Sequence, residues 1–131
     1  MKYILMLNGS KSDWEGYTKW SKEDLVRNTT HMRNISKEMK DAGVYVDAKG
    51  LGAPHQAKVV RAGNDGEPVT DGVFPESKEF LAGYWIVDVE NADEAYRIAA
   101  RVSAAPGPGG QPGNIPIEVR QVLGGHDDLG L

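Results

Sequence analysis

Residues 83–102 read GYWIVDVENADEAYRIAARV, a strand-like run followed directly by a helix-like run. The run from Tyr84 to Val89 is apolar on both alternating faces, which is typical of a strand covered on both sides. Asn91 is a favourable N-cap and Glu94 follows three residues later, a pattern that begins a helix. The apolar residues that follow recur at helical spacing: Ala95, Ile98, Ala99 and Val102. The segment therefore predicts a strand followed by an amphipathic helix.

The N-terminal part of the chain repeats this order. Residues 3–7 (YILML) are apolar on both faces and predict a strand. Ser21 is the N-cap of a predicted helix that runs to about Ala42, where Gly43 supplies the left-handed C-terminal stop. Between strand and helix, three aromatic residues at three-residue spacing predict a short helical turn that packs on a neighbouring element: Trp14, Tyr17 and Trp20.

The remaining strands fall at 44–48, 56–62 and 115–122, and the sequence Asn64-Asp65-Gly66 predicts a hairpin turn after the third strand. Two helices among these strands predict an α+β fold with a ferredoxin-like antiparallel sheet and both helices on one face. Since the strands are apolar on both sides, the second sheet face needs a cover. A second copy of the chain is the simplest one, so we expect a homodimer that buries on the order of 2,000 Å² in total.

The chain of 131 residues is expected to form a single domain, 1–131. Residues 104–116 hold four of the seven prolines and four of the sixteen glycines, so the sequence predicts a flexible surface loop. Residues 124–131 are expected to form a loose C-terminal tail.

Composition excludes several classes of protein. A net charge of −4 with no basic run argues against a nucleic-acid partner. The absence of cysteine excludes disulfides, thiolate zinc sites, iron–sulfur clusters and cysteine nucleophiles. No apolar run approaches the length of a membrane span, and no cleavable signal pattern is visible, so we expect a cytoplasmic protein with no membrane partner.

Residues 71–84 (DGVFPESKEFLAGY) carry a resemblance to a known family. The segment resembles the signature of the YCII-related family, in its DGPF subgroup, which reads Asp-Gly-Pro-Phe-x-Glu-(Ser/Thr)-Lys-Glu and then Gly-Tyr. Val73 stands at the position of the proline in that signature, and Pro75 follows two places later. Further similarity falls in the expected order at 1–3, 42–44, 50–51, 93–95 and 117–122.

The resemblance implies a dimeric ferredoxin-like α+β barrel, in which two sheets pack face to face and each protomer has a cleft between helix and sheet. Most members of the family have no assigned activity. Some remove chloride in the breakdown of chlorinated hydroquinones, and others lie beside or are fused to extracytoplasmic-function sigma factors. The site proposed for the family pairs a His with an Asp, and Asp71 is the residue here that matches this Asp.

Asp71 and His31 are the candidate catalytic residues. A carboxylate at a strand end that faces an apolar cleft has a raised proton affinity and can transfer protons. Alternatively, the Asp71-Gly72 pair makes an Asx-turn. His31 lies at the border of the apolar stripe of the first predicted helix, where it is either a general base paired with Asp71 or a boundary residue bonded to backbone or water. We expect both residues at one cleft between that helix and the sheet.

The candidate substrate-binding residues are His55, Phe74, Glu76 and Lys78. His55 lies in a turn that could rim the same cleft, and the other three belong to the 71–84 motif, whose charged residues alternatively form a solvated rim. No metal site or cofactor is predicted, because no metal-ligand spacing of histidines and carboxylates exists and the glycines of 107–113 lack a phosphate-binding Lys-Ser/Thr and a following helix.

Two hypotheses of function follow. The first is a small-molecule enzyme, dehydrochlorinase- or lyase-like, that uses Asp71 and His31 for proton transfer on an aromatic or dienol-like substrate. The second is a non-enzymatic binding or regulatory module, such as the partner of a sigma factor. Acid–base groups near one cleft favour the enzyme. The absence of a complete catalytic constellation favours the module.

Overall fold

The structure, a computed structural model, describes residues 1–71 and 79–124, and for Asp71 it describes the backbone alone. The described strands are β1 (Lys2–Gly9), β2 (Tyr45–Gly50), β3 (Val59–Ala62), β4 (Pro68–Asp71), β5 (Phe80–Asp88) and β6 (Ile117–Gln121). The helices are α1 (Lys11–Thr18), α2 (Lys22–Asp41) and α3 (Ala92–Ser103). Short 3₁₀ helices span Pro54–Gln56 and Pro108–Gly110.

Four strands form the main sheet in the order β2-β5-β1-β6, and every neighbouring pair is antiparallel. With β1 and β5 in the centre and helices inserted after β1 and β5, this α+β architecture is consistent with the predicted ferredoxin-like fold. The described residues contain one more α-helix than predicted. The aromatic spacing of the α1 segment indicated only a turn, whereas Ser10 and Asp13 form a reciprocal capping box that begins a helix of eight residues.

Local signals explain where the two longer helices begin and end. The Ser21 hydroxyl accepts a hydrogen bond from the backbone N–H of Asp24 at 3.1 Å, as expected of an N-cap. After α2 the chain reverses at Gly43, whose φ of +75° lies in the left-handed region that favours glycine. Asn91 caps α3 by accepting from the N–H of Glu94 at 3.0 Å. Both helices therefore start at their predicted residues.

The core lies between the main sheet and the faces of α2 and α3. Leu5 and Val87, from the two central strands, are fully buried, as are Ile35 of α2 and Val102 of α3. The indole N–H of Trp85 donates to the hydroxyl of Ser36 at 3.1 Å, which shows that this strand position faces α2. Alternate residues of the sheet therefore face away from the helices.

We call the side of the sheet away from the helices the open face. It consists of two cross-strand rows, Asp47-Ile86-Ile4-Arg120 and Lys49-Tyr84-Met6-Glu118. Each row is apolar or aromatic in the middle and charged at both ends. Ile4, Met6, Tyr84 and Ile86 are half-buried rather than covered. The open face is thus an apolar strip between two charged edges.

The segment 104–116, predicted to be a flexible loop, makes several contacts. Asn28 of α2 donates its side-chain N–H to the carbonyl oxygen of Pro106 at 3.0 Å. Pro106 and Pro112 form an isolated antiparallel bridge, Ala105 is only 3% exposed, and Gly107 lies close to the ring of Trp20. These contacts fold the segment against α2. Its flexibility stays a prediction, and so do the single domain 1–131 and the loose tail 124–131, most of which lies beyond the described residues.

The third predicted strand, 56–62, is shorter than expected. Pro54 begins a 3₁₀ helix that ends at Gln56, so β3 starts only at Val59. β3 and β4 join through the predicted turn and form a hairpin that is a two-stranded sheet of its own. Among the helices of residues 1–71 and 79–124, none is long and apolar enough to cross a bilayer.

Candidate functional site

The predicted acid, Asp71, is the last residue of β4. Its backbone pairs with Val59 of β3, so the hairpin and not the main sheet positions it. Its side chain lies outside the described part of the structure. Phe74, Glu76 and Lys78, the predicted binding residues of the motif, also lie outside it. The predicted roles of these four residues therefore stay predictions.

His31 lies half-buried on α2, on the side that faces α3. Its Nε2 is 2.9 Å from the carbonyl oxygen of Arg101, in the last turn of α3, and in the tautomer protonated at Nε2 this nitrogen donates to that carbonyl. Arg101 returns to α2 through an ion pair with Glu38. The His31 ring therefore joins two helices by a backbone contact, which is the structural role that the sequence left open for it, while its pairing with Asp71 stays a prediction.

His55 is exposed in the middle of the 3₁₀ helix Pro54–Gln56. Pro54 and Gln56, on either side of it, both line a cleft of about 450 Å³. We call this the loop cleft, and its lining consists of residues 51–54, 56–57 and 79–81. The turn that carries His55 therefore does bound a cleft, although the cleft lies beside the loop and not between helix and sheet.

The loop cleft is mainly apolar. Leu51, Pro54, Phe80 and Leu81 supply most of its apolar side chains, and a backbone hydrogen bond from Leu51 N–H to the Ala82 carbonyl (2.9 Å) holds its two walls together. Glu79 is the one charged residue among the described lining residues. A cleft of this volume and character suits a small, largely apolar molecule with one polar group.

Gly83, a glycine of the 71–84 motif, lies in β5, the strand that also carries Phe80 and Leu81 of the loop-cleft lining. Gly83 lies opposite Gly50 in the β2–β5 pair, and a Cβ at Gly83 would lie 3.1 Å from the carbonyl oxygen of Lys49. A side chain at this position would require the backbone of β2 to shift by a few tenths of an ångström. Gly83 lies inside β5, which begins at Phe80, and its lack of a side chain favours this close approach beside the cleft.

A second cleft, of about 360 Å³, does lie between helix and sheet. We call it the helix–sheet cleft, and it is lined by Thr29, Met32, Arg33, Ser36, Lys37 and Lys40 of α2 and by Trp85 of β5. His31 is not among its described lining residues. The sequence predicted a cleft between the first helix and the sheet, with Asp71 and His31 at it. It did not predict this cationic lining, although the spacing of Arg33, Lys37 and Lys40 along one helix face could have indicated it.

The open face carries a polar cluster that the sequence did not indicate. The Asp47 carboxylate accepts hydrogen bonds from the Lys49 ammonium at 2.8 Å and from the Tyr84 hydroxyl at 2.9 Å. These bonds, that of Lys49 first, lower the pKa of Asp47 below its usual value. The same contacts with Asp47 raise the pKa of Lys49 and that of Tyr84. The cluster keeps Asp47 ionised and Tyr84 protonated over a wider pH range.

Within residues 1–71 and 79–124, no three His, Asp or Glu side chains come close enough together to hold a metal ion.

Comparison with known proteins places the chain in a family. The family model described as the YCII-related domain matches residues 1–109, most of the chain. The chain is also similar to an uncharacterized protein of Rhizobium meliloti (strain 1021), with 30% identity over 86 residues, which cover 66% of this chain and 69% of that protein. The chain therefore belongs to the YCII-related domain family.

Proposed function

We propose that this protein is a small-molecule enzyme of the DGPF subgroup, cytoplasmic and dimeric, that binds its substrate in the loop cleft and uses Asp71 for proton transfer. The observation that carries the proposal is the position of Glu79, Phe80 and Leu81, which belong to the 71–84 motif and line the loop cleft. The motif thus connects Asp71, at the end of β4, to one wall of the cleft.

The chemistry of the cleft supports this assignment. An apolar lining disfavours a bare carboxylate and raises its proton affinity, which is what a general base needs at neutral pH. In a dehydrochlorination of a chlorohydroquinone the ring would react as its diketone tautomer, in which the chlorinated carbon and the CH2 carbon beside it are tetrahedral. The Asp71 carboxylate would take a proton from that CH2 carbon. A carbon–carbon double bond then forms, the carbon–chlorine bond breaks, and chloride leaves. Phe74, Glu76, Lys78 and His55 are proposed to hold the substrate.

The proposed role of His31, proton transfer together with Asp71, needs a test of its own. In the structure its Nε2 is engaged by the Arg101 carbonyl. A role in the reaction would therefore use Nδ1 or require this contact to break. A His31→Gln variant, whose amide can still donate to that carbonyl, separates the two roles: activity is retained if the contact is structural and lost if the ring transfers protons.

The homodimer is proposed to form through the open face. A two-fold axis parallel to the strands places Asp47 over the partner's Arg120 and Lys49 over the partner's Glu118, because it superposes opposite sheet edges. A two-fold axis perpendicular to the strands places each sheet edge over the same edge of the partner and exchanges the two rows. It therefore places Asp47 over the partner's Lys49 and Glu118 over the partner's Arg120. Either arrangement joins opposite charges around a shared apolar strip, which supports a second copy as the cover.

The function is tested with chlorohydroquinone as the probe. We expect it to shift the backbone amide NMR signals of residues 51–57 and 79–81, and the wild-type protein to release chloride from it. Asp71→Asn should slow chloride release by at least about 100-fold while the protein stays folded. Asp93→Asn, an exposed change in the first turn of α3, is the matched control and should leave the rate unchanged.

The other outcomes are equally informative. Binding at the loop cleft without chloride release from the wild type would refute the proposed reaction and favour the binding module. No shift of the loop-cleft signals, or an Asp71→Asn rate equal to that of the control, would refute the site.

A further inference from the structure

We propose that the helix–sheet cleft is a second binding site, separate from the loop cleft, for a small organic anion that carries one carboxylate on an apolar body about the size of an aromatic ring. Three features of the cleft support the proposal: its apolar floor, its cationic rim and its size. The proposal does not depend on the reaction proposed above.

The floor of the helix–sheet cleft is apolar. Trp85 and Met32 form it, and Trp85 is only 8% exposed. The indole N–H of Trp85 is already bonded to the Ser36 hydroxyl at 3.1 Å, so the indole offers ring surface rather than a polar group to a ligand. Such a floor selects an apolar body, and an aromatic ring packs well against indole.

The rim of the cleft is cationic. Arg33, Lys37 and Lys40 follow one another at four- and three-residue spacing, so their charges lie together on one helix face. Lys37 is neutralised by Asp41 at 2.8 Å. Arg33 and Lys40 have no ion pair in the described part of the chain, and the Lys40 ammonium lies 4.7 Å from the ring centroid of Tyr45. Two positive charges therefore remain unbalanced at the rim.

This arrangement is unfavourable for the helix alone. Like charges at i, i+4 destabilise a helix, and the exposed Lys37–Asp41 pair offsets the repulsion between Arg33 and Lys37 only in part. The chain as a whole is acidic, with a net charge of −4, so the cluster is a local reversal of sign. A bound carboxylate would balance the charges of Arg33 and Lys40, which form no ion pair with side chains of the described residues.

The size of the cleft limits the ligand. A volume of about 360 Å³ is near the lower end of the roughly 300–1,000 Å³ common for small-molecule sites. It accommodates one ring with a short acidic side chain. Phenylacetate is therefore a suitable probe, and phenylacetamide is its neutral analogue of the same shape.

The test is an NMR titration that follows the indole N–H signal of Trp85, assigned by its loss in Trp85→Phe. We expect phenylacetate to shift this signal and the amides of residues 32–40 saturably, and phenylacetamide to bind at least about tenfold more weakly. The double variant Arg33→Gln/Lys40→Gln should weaken phenylacetate binding by about tenfold as well. Lys22→Gln, at an exposed lysine in the first turn of the same helix, is the control and should bind like the wild type.

Any of three results in this titration would overturn the proposal: equal affinity for phenylacetate and phenylacetamide, an unchanged affinity in the double variant, or no saturable shift up to about 20 mM phenylacetate. Since both substituted side chains are exposed, we expect the double variant to fold, which its far-UV circular dichroism and amide dispersion verify. Lys40→Arg keeps the charge and should retain binding, whereas loss of binding in this variant would contradict a charge-based site.

Discussion

Ile86→Glu is the substitution that tests the proposed dimer most directly. Ile86 lies in the middle of the open face, between Ile4 on β1 and Asp47 on β2. In a dimer that covers this face, the change removes an apolar side chain from the interface and introduces a carboxylate next to Asp47. We expect the variant to be folded and monomeric at concentrations where the wild type is a dimer.

The magnitude follows from the dimensions of the sheet. Four strands with an average length of seven residues cover about 19 Å by 23 Å, or about 440 Å² for each protomer. Two such faces give about 900 Å², less than half of the roughly 2,000 Å² expected from the sequence. The open face alone is therefore a weak interface, and the exposed valines of the β3–β4 hairpin are the natural source of further contact: Val59, Val60 and Val69.

Loss of one buried isoleucine costs about 1.5–3 kcal/mol, and a two-fold interface repeats the loss. We therefore expect the dimer dissociation constant of Ile86→Glu to rise by at least about 100-fold, measured by sedimentation equilibrium. Val26→Glu, at a site on α2 that is 56% exposed, is the matched control and should dimerise like the wild type. A monomeric wild type at micromolar concentration, or equal dissociation constants for Ile86→Glu and wild type, would refute the reasoning.

Two further predictions concern the contacts of single side chains. Asn28→Ala removes the hydrogen bond to the Pro106 carbonyl and should lower the free energy of unfolding in urea by about 1 kcal/mol. An unchanged free energy of unfolding would show that this bond does not hold segment 104–116 against α2, as expected if the segment is a flexible loop. Tyr84→Phe removes the second of the two side-chain hydrogen bonds that lower the pKa of Asp47, so that pKa should rise in an NMR titration of the carboxyl group; an unshifted pKa would contradict the bond.

Signals that act between near neighbours predicted the helices well. Ser21 and Asn91 each cap a helix through the backbone N–H three residues later, and Gly43 ends α2 with a positive φ. Such contacts depend on a few consecutive residues and can therefore be read from the chain. The start of β3 was wrong: the 3₁₀ helix that begins at Pro54 extends to Gln56, the first residue of the predicted strand, and β3 begins only at Val59.

Contacts between distant residues were harder to predict. The prolines and glycines of 104–116 correctly indicated that no long helix or strand forms there, but nothing in them indicates that Asn28 binds the Pro106 carbonyl. In the candidate site, the turn that carries His55 was expected at the cleft between helix and sheet, whereas it borders the separate loop cleft. The contact of His31 with Arg101 and the cationic rim of the helix–sheet cleft depend on how α2 is rotated on the sheet, which the spacing of its apolar residues fixes only coarsely.

The β3–β4 hairpin has a thermodynamic consequence for any ligand that needs Asp71. Its two strands are joined through four residue pairs, and residues 59–62 and 64–70 are exposed. A two-stranded ribbon is only marginally stable by itself, so the hairpin is expected to open at a smaller free energy than the protein unfolds. A ligand that binds only the closed hairpin then has an apparent dissociation constant equal to the intrinsic one divided by the closed fraction. Substitutions in the turn at 64–66 would thus change the apparent affinity for the ligand by changing the fraction of molecules with a closed hairpin, although these residues need not contact the ligand.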